Sequence, residues 1–228
     1  MGIITENSAQ TMSTLEQLSY NKGTVSSALG KSLAQQVLQE NRLDILSDCI
    51  DLVIYEASAP ASRHIRSGAA KVVEIVAEKR PEWVAPHLGK LLPALSVQEP
   101  QTRWAIIRLL GFCARFNKPV AQAAIPFAEK YLDAKEGLCI ASSADLFLGD
   151  LGAISPEDAQ KVFPLLELSM DSPLENEQDW LLKAACKLFQ NLDQAGQAKV
   201  CQFAERWQYS SRKSTQQRAR RILELKRK

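Results

Sequence analysis

Two histidines, His64 and His87, supply all the imidazole in this 228-residue chain. Neither belongs to a His-Glu-x-x-His run or a comparable ligand spacing, so a dedicated metal centre is not expected. His64 falls near a helix start and His87 directly follows Pro86, and both are read as structural residues. The cysteines, Cys49, Cys113, Cys139, Cys186 and Cys201, are odd in number, scattered, and form no CxxC pair. That argues against a disulfide framework and a zinc site, and predicts reduced thiols. A Gly-x-Ser-x-Gly elbow is missing. Gly30-Lys31-Ser32 matches the end of a phosphate-binding loop, but the glycine needed five positions earlier is Val25. No stretch approaches the roughly 18 uninterrupted apolar residues of a membrane span. The first twenty residues lack the basic start and apolar block of a secretory signal, so a cytoplasmic protein is expected. These absences leave no cofactor and no small-molecule substrate in view.

The formal charge of +2 hides an uneven distribution. Residues 206–228 carry nine Lys or Arg against Glu224 alone, a net of +8. Residues 145–179 hold nine acids against Lys161, a net of −8. An acidic stretch therefore precedes a basic end.

Alternation of the strand type is almost absent, and helical periodicity dominates. Ile65, Ala69, Val72, Val73 and Val76 form one stripe, with Arg63, Arg66, Ala70, Lys71, Glu74 and Glu78 on the other side. Similar segments recur from residue 24 to 226. Pro81, Pro100, Pro119, Pro156 and Pro173 fall at or near the gaps, where a missing N–H is tolerated or ends the preceding helix. Residues 1–23 are polar and weakly patterned, and read as a disordered lead-in.

Repetition is the informative feature. Segments opening at Pro86, Pro126 and Pro164 share a proline followed by apolar residues at matching offsets, and these prolines lie 40 and 38 residues apart. A further 38 residues on, Gln202-Phe203-Ala204-Glu205-Arg206-Trp207 resembles Pro126-Phe127-Ala128-Glu129-Lys130-Tyr131. The pairs Val72-Val73, Leu109-Leu110, Phe147-Leu148, Leu188-Phe189 and Ile222-Leu223 follow at spacings of 37, 38, 41 and 34. A helix pair of this period, with proline in its first helix and arginine opening its second (Arg66, Arg103), resembles the HEAT/armadillo repeat. Ala141 and Leu182 depart from the arginine, and the family's turn aspartate is generally missing. The resemblance implies an all-α fold, a right-handed α-α superhelix of about five helix pairs. It predicts one domain over 24–228, with a cap helix at 24–40 and repeats near 43–79, 82–116, 119–152, 156–192 and 195–226. Each pair exposes an apolar face that only a neighbour can bury.

In such stacks the second helices line the concave face. Aligning them brings Arg66 onto Arg103, Ser67 onto Trp104 and Ser142, and Lys71 onto Arg108, with Lys183 and Lys187 following. This row of cations with one aromatic suits a protein or peptide partner, an acidic one by its charge. Arg212, Lys213, Arg218, Arg220 and Arg221 form a basic end that reads as a terminal cap or a second patch. The favoured function is a non-enzymatic scaffold, and the alternative is a nucleic-acid-binding solenoid. A HEAT-like family of alkylpurine DNA glycosylases resembles the chain in length and architecture, which implies a Trp followed four residues later by a catalytic Asp. Here Trp83, Trp104, Trp180 and Trp207 are followed at that offset by His87, Arg108, Ala184 and Ser211.

Overall fold

The computed structural model describes residues 12–20, 27–133 and 137–226, and every regular element among them is helical. The chain opens with α1 (Thr14–Ser19) and α2 (Ser27–Glu40), then pairs α3 (Leu43–Leu52) with α4 (Arg63–Lys79). The next first helix is split at Pro86 and Pro93 into α5 (Pro81–Val84), α6 (Leu88–Leu91) and short 3-10 turns, and is followed by α7 (Pro100–Cys113). The third is split into α8 (Lys118–Ala123) and α9 (Ile125–Tyr131), followed by α10 (Leu138–Gly152). Then α11 (Pro156–Asp171) pairs with α12 (Gln178–Leu188), and α13 (Gln194–Trp207) with α14 (Lys213–Leu225).

Proline explains most of these breaks. A ring in place of an N–H removes a backbone bond and crowds the carbonyl four residues back. The consequence is not uniform, however. Pro164 sits inside α11 without interrupting it, whereas the split first helices carry the three-helix character of an armadillo unit.

The second helices stack in order: α4 on α2, α7 on α4, α10 on α7, α12 on α10 and α14 on α12. One buried core runs from Leu18 to Ile222. At Gly149 in α10 an added Cβ would lie 2.6 Å from the Cα of Ala184, so only glycine lets α12 come this close. Polar ties between pairs repeat with the same period. The Nδ2 of Asn117 donates to the carbonyl of Ala85, the hydroxyl of Tyr131 to that of Leu95, and Asn191 to that of Gly152. Gln122 donates to Asp158, which Lys118 also meets at 2.8 Å, and these donors hold the Asp158 carboxyl below the usual range against the opposing effect of burial.

Two expectations need correction. The lead-in expected over 1–23 contains α1, whose Ser13 and Glu16 form a reciprocal capping box. Leu18 is fully buried and reaches over Gly68 of α4. Residues 1–11 and 21–26 lie outside the described residues. Arg66, expected on the concave face, is 1% exposed. It stands in the first turn of α4, where side chains lean toward the helix N-terminus. Its Nε and Nη2 donate to Glu99 at 2.7 and 2.8 Å, and its Nη1 donates to the carbonyls of Tyr55, Glu56 and Ala59. Thr102 donates to the same carboxylate, and these donors hold Glu99 below the usual range although burial opposes them.

Arg66→Ala is therefore expected to cost about 3 to 5 kcal/mol, because it leaves Glu99 charged and unpaired in the interior. Leu18→Ala should cost about 2 to 5 kcal/mol. Urea denaturation followed by circular dichroism measures both. A midpoint unchanged in either variant would show that the contact contributes nothing.

Candidate functional site: a groove across the inner helices

The exposed faces of α4, α7, α10 and α12 enclose a groove of about 530 Å³. Helix α4 contributes Lys71, Glu74, Ile75 and Glu78; α7 contributes Trp104, Arg108 and Phe112. Leu138, Cys139, Ser142, Ser143 and Leu146 come from α10, and Trp180 and Lys183 from α12. The offsets explain the grouping, since residues three and four apart share a helix face. Trp104, Arg108 and Phe112 form one such row.

Charge is distributed unevenly along the groove. At the α4 end Lys71 pairs with Glu74 at 2.8 Å, while Glu78 forms no ion pair with a described residue. At the other end Asp150 accepts from Arg108 at 2.6 Å and also from Lys187. Arg218 of α14 pairs with Asp179, which also accepts from Thr215. Lys183 has no carboxylate partner among the described residues; its Nζ lies 5.8 Å from the ring centre of Trp180. Burial, together with the charges of Arg108, Lys187 and Arg218, holds its ammonium below the usual lysine range. Arg108 lies 4.0 Å over Phe112 and Arg218 lies 6.0 Å from Trp180, so both aromatic walls are braced by cations.

The floor beside α12 is polar in an unusual way. Ser142, 6% exposed, lines the groove, and its buried Oγ has no hydrogen-bond partner among the described residues. One turn further along α10, Asp145 is completely buried, and neither of its oxygens receives a donor from the described residues. Its carboxyl faces that of Glu177, the residue that opens α12 and accepts the N–H of Leu174. Burial raises both acids, Asp145 well above the ordinary range, with the negative charge of Glu177 adding to the effect at Asp145. Asp145, which has no other donor among the described residues, is satisfied when one acid of the pair keeps its proton and donates to the other.

Of the residues singled out from the sequence, Lys71, Trp104, Arg108 and Lys183 come together in this groove. Lys187 lies behind it on Asp150, and Arg66 is interior. Arg103 is half-buried with its guanidinium 5.5 Å from the ring centre of Tyr131. It thus turns toward α9. Of the basic end, Arg218 braces Trp180, Arg212 donates to Asn176 at 3.1 Å, and Lys213, Arg220 and Arg221 are exposed. Trp180, Phe112, Ser142 as an orphaned hydroxyl, and the acid pair were missed. The rows Trp104-Arg108-Phe112 and Trp180-Lys183-Lys187 are visible as helical offsets; the acid pair has no local signal.

No family model matches the chain, and no curated protein does. Solved structures do resemble it. An engineered protein from a structural genomics consortium superposes over 93% of this chain and 98% of its own, with TM-score 0.68 and 16% identity. A designed armadillo repeat protein covers 92% and 97%, with TM-score 0.65 and 16% identity. A second engineered protein covers 93% and 96%, with TM-score 0.66 and 14% identity. The fold is that of an armadillo-like α-solenoid.

The acid pair gives a pH prediction. An acid raised on folding binds a proton in the native state that the unfolded chain has released, so stability falls as pH rises above the unfolded carboxyl value of about 4. Asp145→Asn keeps the shape and supplies a donor to Glu177. It should stabilise the protein by about 1 to 3 kcal/mol near neutral pH, with the gain shrinking toward pH 4. Melting temperatures of both proteins between about pH 4 and 8 test this. A variant less stable at neutral pH would contradict it.

Proposed function

We propose that this chain is a non-enzymatic cytoplasmic scaffold that binds a protein or peptide partner in the groove over α4, α7, α10 and α12. The observation that carries this reading is the union in one open groove of Trp104, Phe112 and Trp180 with Lys183, a cation that has no carboxylate partner among the described residues. Large aromatics that are part-exposed beside an uncommitted charge are the usual anchors of a recognition surface. The five cysteines are unpaired thiols, as a reducing compartment would keep them. None of the described helices is long and apolar enough to cross a membrane.

Nucleic acid is the weaker alternative. A phosphate backbone needs a continuous row of free cations. Here Arg108, Lys187 and Arg218 are committed to Asp150 and Asp179, and Glu74 and Glu78 occupy one end.

Affinity capture from nuclease-treated native lysate, with the wild-type chain beside Trp104→Ala and Trp180→Ala, tests the proposal. Both variants should keep their helicity yet lose a captured protein, each weakening binding by about 1 to 2 kcal/mol or more. Retention of the same partners by folded variants would move the binding surface elsewhere, and capture abolished by nuclease would favour nucleic acid.

A further inference from the structure

We infer that the occupant of the groove is an extended peptide of mixed charge, with an acidic side chain seated at Lys183 and a basic side chain toward Glu78. This rests on reading the groove as the binding surface, and it adds the chemistry and length of the ligand.

Charge complementarity carries the inference. Around the α12 end stand four cations, Arg108, Lys183, Lys187 and Arg218, against two carboxylates, Asp150 and Asp179, which leaves +2. One negative charge on the buried Asp145 and Glu177 pair still leaves +1. The α4 end holds Lys71 against Glu74 and Glu78, a net of −1. Each end thus has one uncommitted charge, Lys183 and Glu78, and the two are of opposite sign. A carboxylate arriving at Lys183 would meet a cation already crowded by its neighbours and would partner it in a charge-assisted hydrogen bond. Trp104 and Trp180 give the intervening side chains apolar walls.

Length follows from helix packing. Between α4 and α12 lie three helix spacings of roughly 8 to 10 Å each. An extended chain rising about 3.3 Å per residue covers that distance in roughly seven to nine residues. A wholly acidic strand would meet Glu78 unfavourably, and a wholly basic one would meet Lys183.

Cys139 reports occupancy in the protein as it stands. Its thiol is exposed in the groove, whereas Cys49, Cys113 and Cys201 are buried and Cys186 is half-buried. The experiment measures alkylation of Cys139 by iodoacetamide, read by peptide mass spectrometry with Cys186 as internal reference. The probes are three synthetic peptides of about nine residues that share the same leucine and phenylalanine positions: one acidic at one end and basic at the other, one wholly acidic, one wholly basic. A DNA duplex is the fourth probe. The mixed peptide should protect Cys139 at the lowest concentration, and added salt should weaken protection. Lys183→Glu should raise the concentration required by about tenfold or more, while Glu78→Lys should weaken the mixed peptide and strengthen the wholly acidic one.

Equal protection by all three peptides, or indifference to both substitutions, overturns the charge assignment while leaving the groove as a binding surface. Stronger protection by the duplex than by any peptide overturns the peptide assignment in favour of nucleic acid. No protection by any probe overturns the inference, and retention of captured partners by the tryptophan variants would separately reject the groove.

Discussion

A helix that is apolar around most of its circumference cannot stand at the edge of a soluble protein. Helix α10 is such a helix: from Ile140 to Gly152 only Ser143 and Asp150 escape burial. It must have a neighbour on each side, and α7 and α12 supply them. Each of those then needs a neighbour of its own, until the demand ends at a helix whose outer face is polar. Helix α14 meets that condition, burying Thr215, Ala219 and Ile222 while leaving Arg220 and Arg221 in water. At the other end α2 and the small α1 close the stack, with Leu18 seated on α4. Nearest-neighbour burial thus accounts for the architecture without any contact between distant repeats.

The same constraint decides which charges are free. Ion pairs and side-chain hydrogen bonds that link one helix pair to the next join residues 32 to 42 apart, close to one repeat length. Arg66, Arg108, Lys187 and Arg218 are drawn into such ties. These four basic residues of the inner helices therefore hold repeats together, and recognition falls to others. Arg66 shows how complete this diversion is. Its fork meets a carboxylate and three carbonyls, an arrangement that a lysine could not reproduce.

Legibility in the sequence follows from range. The helices, the period and the stacking order rest on patterns within 40 residues and could be read directly. So could the alignment that brings Lys71, Trp104, Arg108 and Lys183 onto one surface. The fate of Arg66 could not, because it depends on Glu99 in the next repeat, and an arginine on a polar flank has no mark that separates anchor from surface. Helix α1 was legible in part: Ser13 and Glu16 stand at capping-box spacing, but six residues give too little periodicity to outweigh polar surroundings. The Asp145 and Glu177 pair was hidden for a further reason. Both lie in the acidic stretch 145–179, where nothing local marks one carboxylate for burial, and only the approach of α12 to α10 takes them out of water.

That approach also sets the character of the groove. Gly149 allows α12 to settle against α10 at a distance that any side chain would prevent. Close packing brings Lys183 within the field of Arg108 and Lys187, and it presses Glu177 onto Asp145 below them. In a medium that screens poorly, shorter separations raise both effects together. The cationic end of the groove and the buried acid pair beneath it are therefore two results of one backbone contact. A side chain at position 149 would push the helices apart, relax the acid pair and weaken the positive field in the same movement, so core packing and surface chemistry at this interface are not separable.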